Sequence, residues 1–270
     1  MRLIPVIAFA LVMAVSRIGP AIAAQCEPAG GFDVWLDAFK REAVAAGISQ
    51  RTLGSALVGV SPDPKVLSLD RNQKVFAQTF EEFSGRMISL NRLQRGGKLL
   101  AQHAATLARI EQEYGVPGPV LVAIWGLETD YGANNGKFST IRALVTLAHD
   151  CRRSELFQGE LMSALRIADR GDLAPAEMHG AWAGELGQTQ FLPTSYLKYA
   201  VDFDGNGRRD LINSPADVLA STANYLKGYG WTAGQGWNPG QPNFDVLKAW
   251  NKSDIYSRTV AAFAQRLQGQ

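Results

Sequence analysis

The run Val120-Leu121-Val122-Ala123-Ile124-Trp125-Gly126-Leu127-Glu128-Thr129-Asp130-Tyr131-Gly132 carries a single acid, Glu128, to the end of a nearly unbroken apolar segment. Helical spacing sets Ile124 one turn before it, Trp125 three residues back and Tyr131 three ahead. Such surroundings disfavour the ionised carboxylate and raise its pKa. A carboxyl that keeps its proton near neutral pH can hand it to a leaving oxygen as a general acid. From periodicity alone, a solvated acid at a helix end or a satisfied core acid accounts for Glu128 more readily than catalysis does. Asp130, two residues on, points elsewhere on a helix and reads as solvated or capping.

A second group of oxygen ligands lies in Asp202-Phe203-Asp204-Gly205-Asn206-Gly207-Arg208-Arg209-Asp210. Asp202, Asp204, Asn206 and the backbone carbonyl of Arg208 fall at alternating positions, and Gly207 takes the turn position of an EF-hand-like loop. Position twelve holds Asn213 in place of the usual Glu. A turn rich in Asp, Asn and Gly and held by its own hydrogen bonds is the alternative. Carboxylates that would otherwise repel one another favour a cation with a structural role. His103, His149 and His179 lack metal-ligand spacing, and neither a phosphate-binding Gly loop nor a nucleophile elbow is present.

The elements that must position these groups are helical. Of 270 residues, 46% are hydrophobic and 19% charged, which excludes a disordered chain and allows one or two domains with a substantial core. Helical patterns run from Phe32 to near Gly47, from Gln50 to Leu57, from Asn72 to Leu90, from Leu99 to Tyr114 and from Pro117 through Glu128. They continue over Thr140 to Asp150, Ser154 to Arg170, Pro193 to Ala200, Asp217 to Tyr229 and Ser253 to Leu267. Ser61-Pro62-Asp63-Pro64 reads as a turn, and Gly228 to Pro242 as a loop-rich segment that could rim a cleft. Sustained strand alternation is absent, so the fold class is mainly α with any sheet small.

The N-terminus reads as an export signal over residues 1–24: Arg2, the apolar run Leu3 to Val15, and small residues Ala21-Ile22-Ala23-Ala24 for cleavage. That run is too short to span a bilayer, and no later segment is apolar enough, so no stable membrane insertion is expected. Gln25 before Cys26 argues against lipid attachment. Cleavage removes Arg2 and Arg17 and leaves 25 basic against 25 acidic residues. A neutral chain has no bulk attraction for nucleic acid. In an oxidising compartment the even pair Cys26 and Cys151 reads as a disulfide, with two unpaired thiols as the alternative.

Several ordered motifs carry a resemblance. Ala123 to Gly132 resembles the catalytic helix of lytic murein transglycosylases of the MltB type. Gly180-Ala181-Trp182-Ala183-Gly184-Glu185-Leu186-Gly187-Gln188-Thr189-Gln190-Phe191-Leu192-Pro193-Thr194-Ser195-Tyr196 resembles that family's second signature, and Arg152-Arg153 matches a paired-arginine segment between them. Ala249-Trp250-Asn251-Lys252-Ser253-Asp254-Ile255-Tyr256 resembles its aromatic-Asn-x-Ser-x-x-Tyr segment. The likeness covers about residues 32 to 266.

The resemblance implies a lysozyme-like α domain of the goose-type or SLT-like kind over residues 25–270, with additional helices and subdomains flanking a saccharide cleft. It implies non-hydrolytic cleavage of the β-1,4 bond between N-acetylmuramic acid and N-acetylglucosamine in peptidoglycan glycan strands. Glu128 would act first as acid on the glycosidic oxygen, then as base on the muramyl C6 hydroxyl, leaving 1,6-anhydro ends and needing no catalytic cofactor. The alternatives are a hydrolytic muramidase and a non-catalytic murein-binding protein. By the same resemblance Gln190, Asn251, Trp250 and Tyr256 line the cleft, and Tyr225 and Phe83 match further aromatics there. Arg152 and Arg153 would meet substrate carboxylates, and the cation loop, for calcium or sodium, would close on Asp217. Relatives often carry Ser at the Ala181 position and a small residue at the Glu185 position. Glu185 is the runner-up acid and reads as a solvated loop residue. The resemblance implies a periplasmic or exported location.

Overall fold

The computed structural model describes residues 30–72 and 78–269. The expected leader, Cys26, and the pattern residues Val75 and Phe76 lie outside them. Thirteen α-helices occur among the described residues: α1 Gly31–Ala45, α2 Gln50–Leu57, α3 Pro64–Arg71, α4 Phe80–Met87, α5 Leu90–Gln102, α6 Ala104–Tyr114, α7 Gly118–Thr129, α8 Thr140–His149, α9 Ser154–Asp169, α10 Pro193–Tyr199, α11 Pro215–Gly228, α12 Phe244–Trp250 and α13 Asp254–Gln268. Two short strands, β1 Phe138–Ser139 and β2 His179–Gly180, pair antiparallel with Phe138 opposite Gly180 and Ser139 opposite His179. The mainly α expectation holds.

The apolar run seen in the sequence becomes α7, buried on every side from Val120 to Leu127. A helix without a polar face must be enclosed, and α5, α6, α11 and α13 enclose it. Close approach is set by small residues. A Cβ at Gly126 would come 2.8 Å from the Tyr131 ring, and one at Gly96 on α5 would come 2.8 Å from Leu267 on α13. The helix stops in a left-handed turn at Asp130, φ 53°, with Asp130 N–H donating to the Gly126 carbonyl and Tyr131 N–H to the Trp125 carbonyl. A non-glycine residue holds this conformation because Arg92 and Arg95 of α5 both bind the Asp130 carboxylate, at 3.1 and 2.6 Å. Those guanidiniums outweigh the cost of its burial and hold its carboxyl below the usual range.

Three sequence expectations are corrected. The turn at Ser61 to Pro64 leads straight into α3, with Asp63 accepting from the Lys65 N–H as N-cap and Pro64 in the first turn. Of the pattern from Asn72 to Leu90, the described helix is α4, opened by a Thr79–Glu82 capping box. The run from Leu99 to Tyr114 belongs to two helices that meet at His103, whose φ of −103° and ψ of 17° leave the helical region. The short helix α12 follows the loop-rich segment and was not anticipated.

Candidate active site

Glu128 sits in the last turn of α7 and lines a cavity of about 410 Å³ together with Ala181, Glu185, Gln190, Tyr225, Trp250 and Asn251. Its Oε1 accepts two hydrogen bonds from the C-terminal elements: Tyr256 Oη at 2.5 Å and Trp250 Nε1 at 3.0 Å. Among the described residues Oε2 has no hydrogen-bond partner. Burial pushes the Glu128 pKa up. The Tyr256 and Trp250 donors pull it down, the nearby charge of Glu185 pushes it up, and the balance is a raised value. Burial and the adjacent acid push the Tyr256 hydroxyl far above its ordinary value, so Tyr256 remains a donor throughout.

Trp250 ends α12 and Tyr256 lies in the first turn of α13. Asn251 between them leaves the helical conformation, with its side chain accepting from the Ser253 N–H at 2.9 Å and its carbonyl accepting from Ser257 Oγ at 3.2 Å. Ser253 caps α13 through the Tyr256 N–H. This short turn aims two donors from adjacent helices at one carboxyl oxygen. Tyr225 of α11 meets the Trp250 ring edge-on at 4.8 Å between centroids. Phe191, which the sequence reading did not single out, sits 5.6 Å from Trp250 and 5.7 Å from Tyr225 and completes an aromatic wall.

The loop after β2, which supplies Phe191, also lines the cavity. Leu186 and Phe191 exchange backbone hydrogen bonds of 2.9 Å around a turn in which Gly187 and Gln190 take left-handed φ values of 77° and 53°. Gln190 lines the cavity, as expected, but its side-chain amide is engaged by backbone. Oε1 accepts from the Ala181 N–H at 3.1 Å, and Nε2 donates to the carbonyls of Gly187 and Asn135 at 2.7 and 3.1 Å. Gln190 therefore shapes the wall. Gln188 is a further positioning residue missed from the sequence. Its Oε1 accepts from Trp125 Nε1 at 2.7 Å and its backbone carbonyl from Thr129 Oγ1 at 2.5 Å, which ties the loop to the acid-bearing helix.

Three expectations change. Arg152 and Arg153 do not stand free for a substrate carboxylate, because both guanidiniums bind the buried carboxylate of Asp70 on α3. Phe83 is not among the residues lining the Glu128 cavity; it packs on the core under the Arg86 guanidinium, 5.5 Å from its centroid. Glu185, read as a solvated loop acid, lines the cavity with Glu128, and burial raises its pKa.

The loop expected to hold a cation gathers its carboxylates and is also held by its own hydrogen bonds. Carboxylate oxygens of Asp202, Asp204 and Asp217 lie within 4.8 Å of one another. Asp202 accepts from the N–H groups of Gly205, Asn206 and Gly207, and Asn206 Oδ1 accepts from the Arg208 N–H. Asp217 reaches the loop from the first turn of α11, accepting from Phe203, Asp204 and Asp210 N–H groups. Its burial raises its pKa despite those donors, which suits a site whose acids need an added positive charge.

A central apolar helix that ends in a buried carboxyl beside a cavity walled by aromatics places the chain in the lysozyme-like class of folds. Within it, the chain belongs to the transglycosylase SLT domain family, whose model matches residues 31–241. It is 39% identical over 166 residues to membrane-bound lytic murein transglycosylase B of Escherichia coli strain K12, a match spanning 58% of this chain and 46% of that protein. The match thus spans about half that relative's length. The crystal structure of SltB3 from Pseudomonas aeruginosa in complex with NAG-anhNAM-pentapeptide superposes with a TM-score of 0.84 at 35% identity, covering 88% of this chain and 80% of that one. The Escherichia coli lytic transglycosylase Slt35 in complex with calcium gives 0.77 at 29% identity, covering 86% and 92%.

Proposed function

We propose that this chain is a lytic murein transglycosylase, a carbon–oxygen lyase that cuts the MurNAc–GlcNAc β-1,4 bond of peptidoglycan strands and leaves 1,6-anhydroMurNAc ends. The observation that carries the reading is the state of Glu128: raised by burial, gripped at Oε1 by Tyr256 and Trp250, and free at Oε2 toward the cavity. Oε2 gives its proton to the glycosidic oxygen as the C1–O bond breaks. The carboxylate so formed is stabilised by the two donors already in place. It then takes the proton of the muramyl C6 hydroxyl while that oxygen bonds to C1. Because the nucleophile is tethered to the reacting sugar, orientation can supply roughly 7–11 kcal/mol of the barrier without a second carboxylate. The relative crystallised with an anhydro-muropeptide supports the product, and the aromatic wall suits the C–H faces of sugars.

Around this centre, Asn251 offers its amide at the cavity edge, and Tyr225 and Trp250 carry the sugar rings. The loop of Asp202, Asp204, Asn206, Arg208 and Asp217 holds a structural calcium ion, a reading supported by the clustered carboxylates and by the calcium complex of Slt35. Residues 1–24 are a cleaved export signal, 25–270 form the catalytic domain, and the protein works in the periplasm. Among the described residues no helix is long and apolar enough to cross a membrane. The Cys26–Cys151 disulfide is supported by Cys151 not standing as a free thiol.

Mass analysis of sacculi digested by wild type and Glu128→Gln in parallel tests this reading. Wild type releases non-reducing muropeptides one water lighter than their hydrolysed counterparts, and the variant releases essentially none. Wild-type product made up wholly of reducing ends, or turnover unchanged in the variant, would overturn it.

A further inference from the structure

The one-acid reaction leaves a second carboxyl in the cavity without a task. Glu185 is not an incidental surface acid. Its carbonyl accepts from Thr140 Oγ1 at the start of α8 at 3.1 Å, and its Oε2 accepts from the Ala183 N–H, also at 3.1 Å. Gly180 packs so closely on the Glu185 carbonyl that a Cβ there would overlap it, and the paired Leu186–Phe191 backbone braces the other side. A rigid loop thus delivers the carboxyl to the cavity that Glu128 enters from the central helix. Its hydrogen bonds come from backbone N–H groups, and the charges that reach it are Arg153 and Glu160 of the α9 region, of opposite effect. The two acids are near enough for the charge of Glu185 to act on Glu128.

Glu128 and Glu185 line one cavity, and a pair of carboxyl groups is the arrangement that glycoside hydrolysis by water uses and that attack by a tethered hydroxyl does not require. A cavity of about 410 Å³ has room for an ordered water beside a sugar ring. We propose that Glu185 is the base of a second, water-consuming branch at this site, so that the enzyme hydrolyses a share of the same glycosidic bonds. Glu128 protonates the leaving oxygen as the C1–O bond breaks. A water oxygen bonds to C1 in place of the C6 oxygen, and the proton it sheds goes to Glu185. The glycan gains one water and ends in a reducing muramic acid. Net proton balance is restored when Glu185 releases its proton and Glu128 regains one from solvent. Burial raises the Glu185 pKa, which makes its carboxylate a stronger base than an exposed one.

The inference rests on the proposed glycan cleavage at Glu128, and its test separates the two. Purified peptidoglycan is digested in ¹⁸O-labelled water, and the new muramic ends are counted by mass as anhydro or ¹⁸O-reducing. Wild type is expected to give both, and Glu185→Gln, which keeps an acceptor for the Ala183 N–H, to lower the reducing-to-anhydro ratio by about 100-fold. The ratio is read within whatever product forms, so a partial loss of total activity does not obscure it. Should Gln at this position abolish both products, the same ratio is read in Glu185→Ala. Wild-type product that is wholly anhydro, or a ratio that survives loss of the carboxyl, overturns the inference and leaves the transglycosylase reading standing. No cleavage of either kind overturns that reading and this one together.

Discussion

Tyr256 and Trp250 place both of their protons on the same oxygen of Glu128, so the acid is oriented and electrostatically tuned by one contact pair. Each donor favours the charged form and lowers the pKa that burial raises. Tyr256→Phe is therefore expected to move the alkaline limb of the kcat/KM profile to higher pH while kcat falls about 100-fold, because a donor to the developing carboxylate is lost. A pH series of muropeptide release checks both changes. Stability carries the opposite signature. A carboxyl whose folded pKa lies above its ordinary 4.5 makes the folded state bind more protons, so stability falls as pH rises from about 4.5 through the folded value. Glu128→Gln lacks that penalty and is expected to have a higher urea midpoint than wild type at pH 7, with the gap closing near pH 4. The apolar run around Glu128 made its environment legible in the sequence. The same reasoning named Glu185 only as a runner-up acid and read it as solvated, because the groups around it, Thr140, Arg153 and Glu160, are distant in sequence, and local composition around Gly184 and Gly187 reads only as a turn.

Between elements, the bond between α3 and α9 shows why paired arginines are hard to assign from sequence. Asp70 is 2% exposed, and Arg152 and Arg153 both reach it while remaining partly exposed themselves. A guanidinium pair that looks like a carboxylate receptor in sequence has found its carboxylate within the chain. Asp70→Ala removes charge-assisted bonds but leaves guanidiniums that water can reach, and a cost of about 2 kcal/mol is expected, read as a lowered urea midpoint. Helix ends were legible where the stop signal was chemical: Gly115 takes the left-handed position after α6, and Ser253 caps α13. The start of α3 was misread: Asp63-Pro64 is a cap followed by a first-turn proline, but the neighbouring Pro62 made the segment read as a turn. The break at His103 has no such signal, as neither Gly nor Pro marks it; α5 and α6 each pack on α7 across it.

At the scale of the molecule, two expected closures bear on stability. If the acidic loop holds calcium, millimolar Ca²⁺ is expected to raise the melting temperature and a chelator to lower it, with Asp204→Ala abolishing the response, since an ion that binds only the folded state stabilises it by mass action. If Cys151 is tied to Cys26, reductant is expected to cost about 3 kcal/mol of stability, seen as a lower melting temperature in the presence of dithiothreitol. The fold class was legible from helical periodicity and the absence of alternation. The position of the acidic loop relative to the cleft was not, because only the assembled packing of α10 and α11 sets it.

The matched family region closes at residue 241, yet both groups that grip the acid, Trp250 and Tyr256, lie after it. The final two helices among the described residues are thus a latch on the Glu128 carboxyl as well as a cover for the core. Trimming the polypeptide at the family boundary would leave the acid on its helix with no hand on it, whereas partners or tags joined at the far end, beyond Gly269, would leave that latch intact.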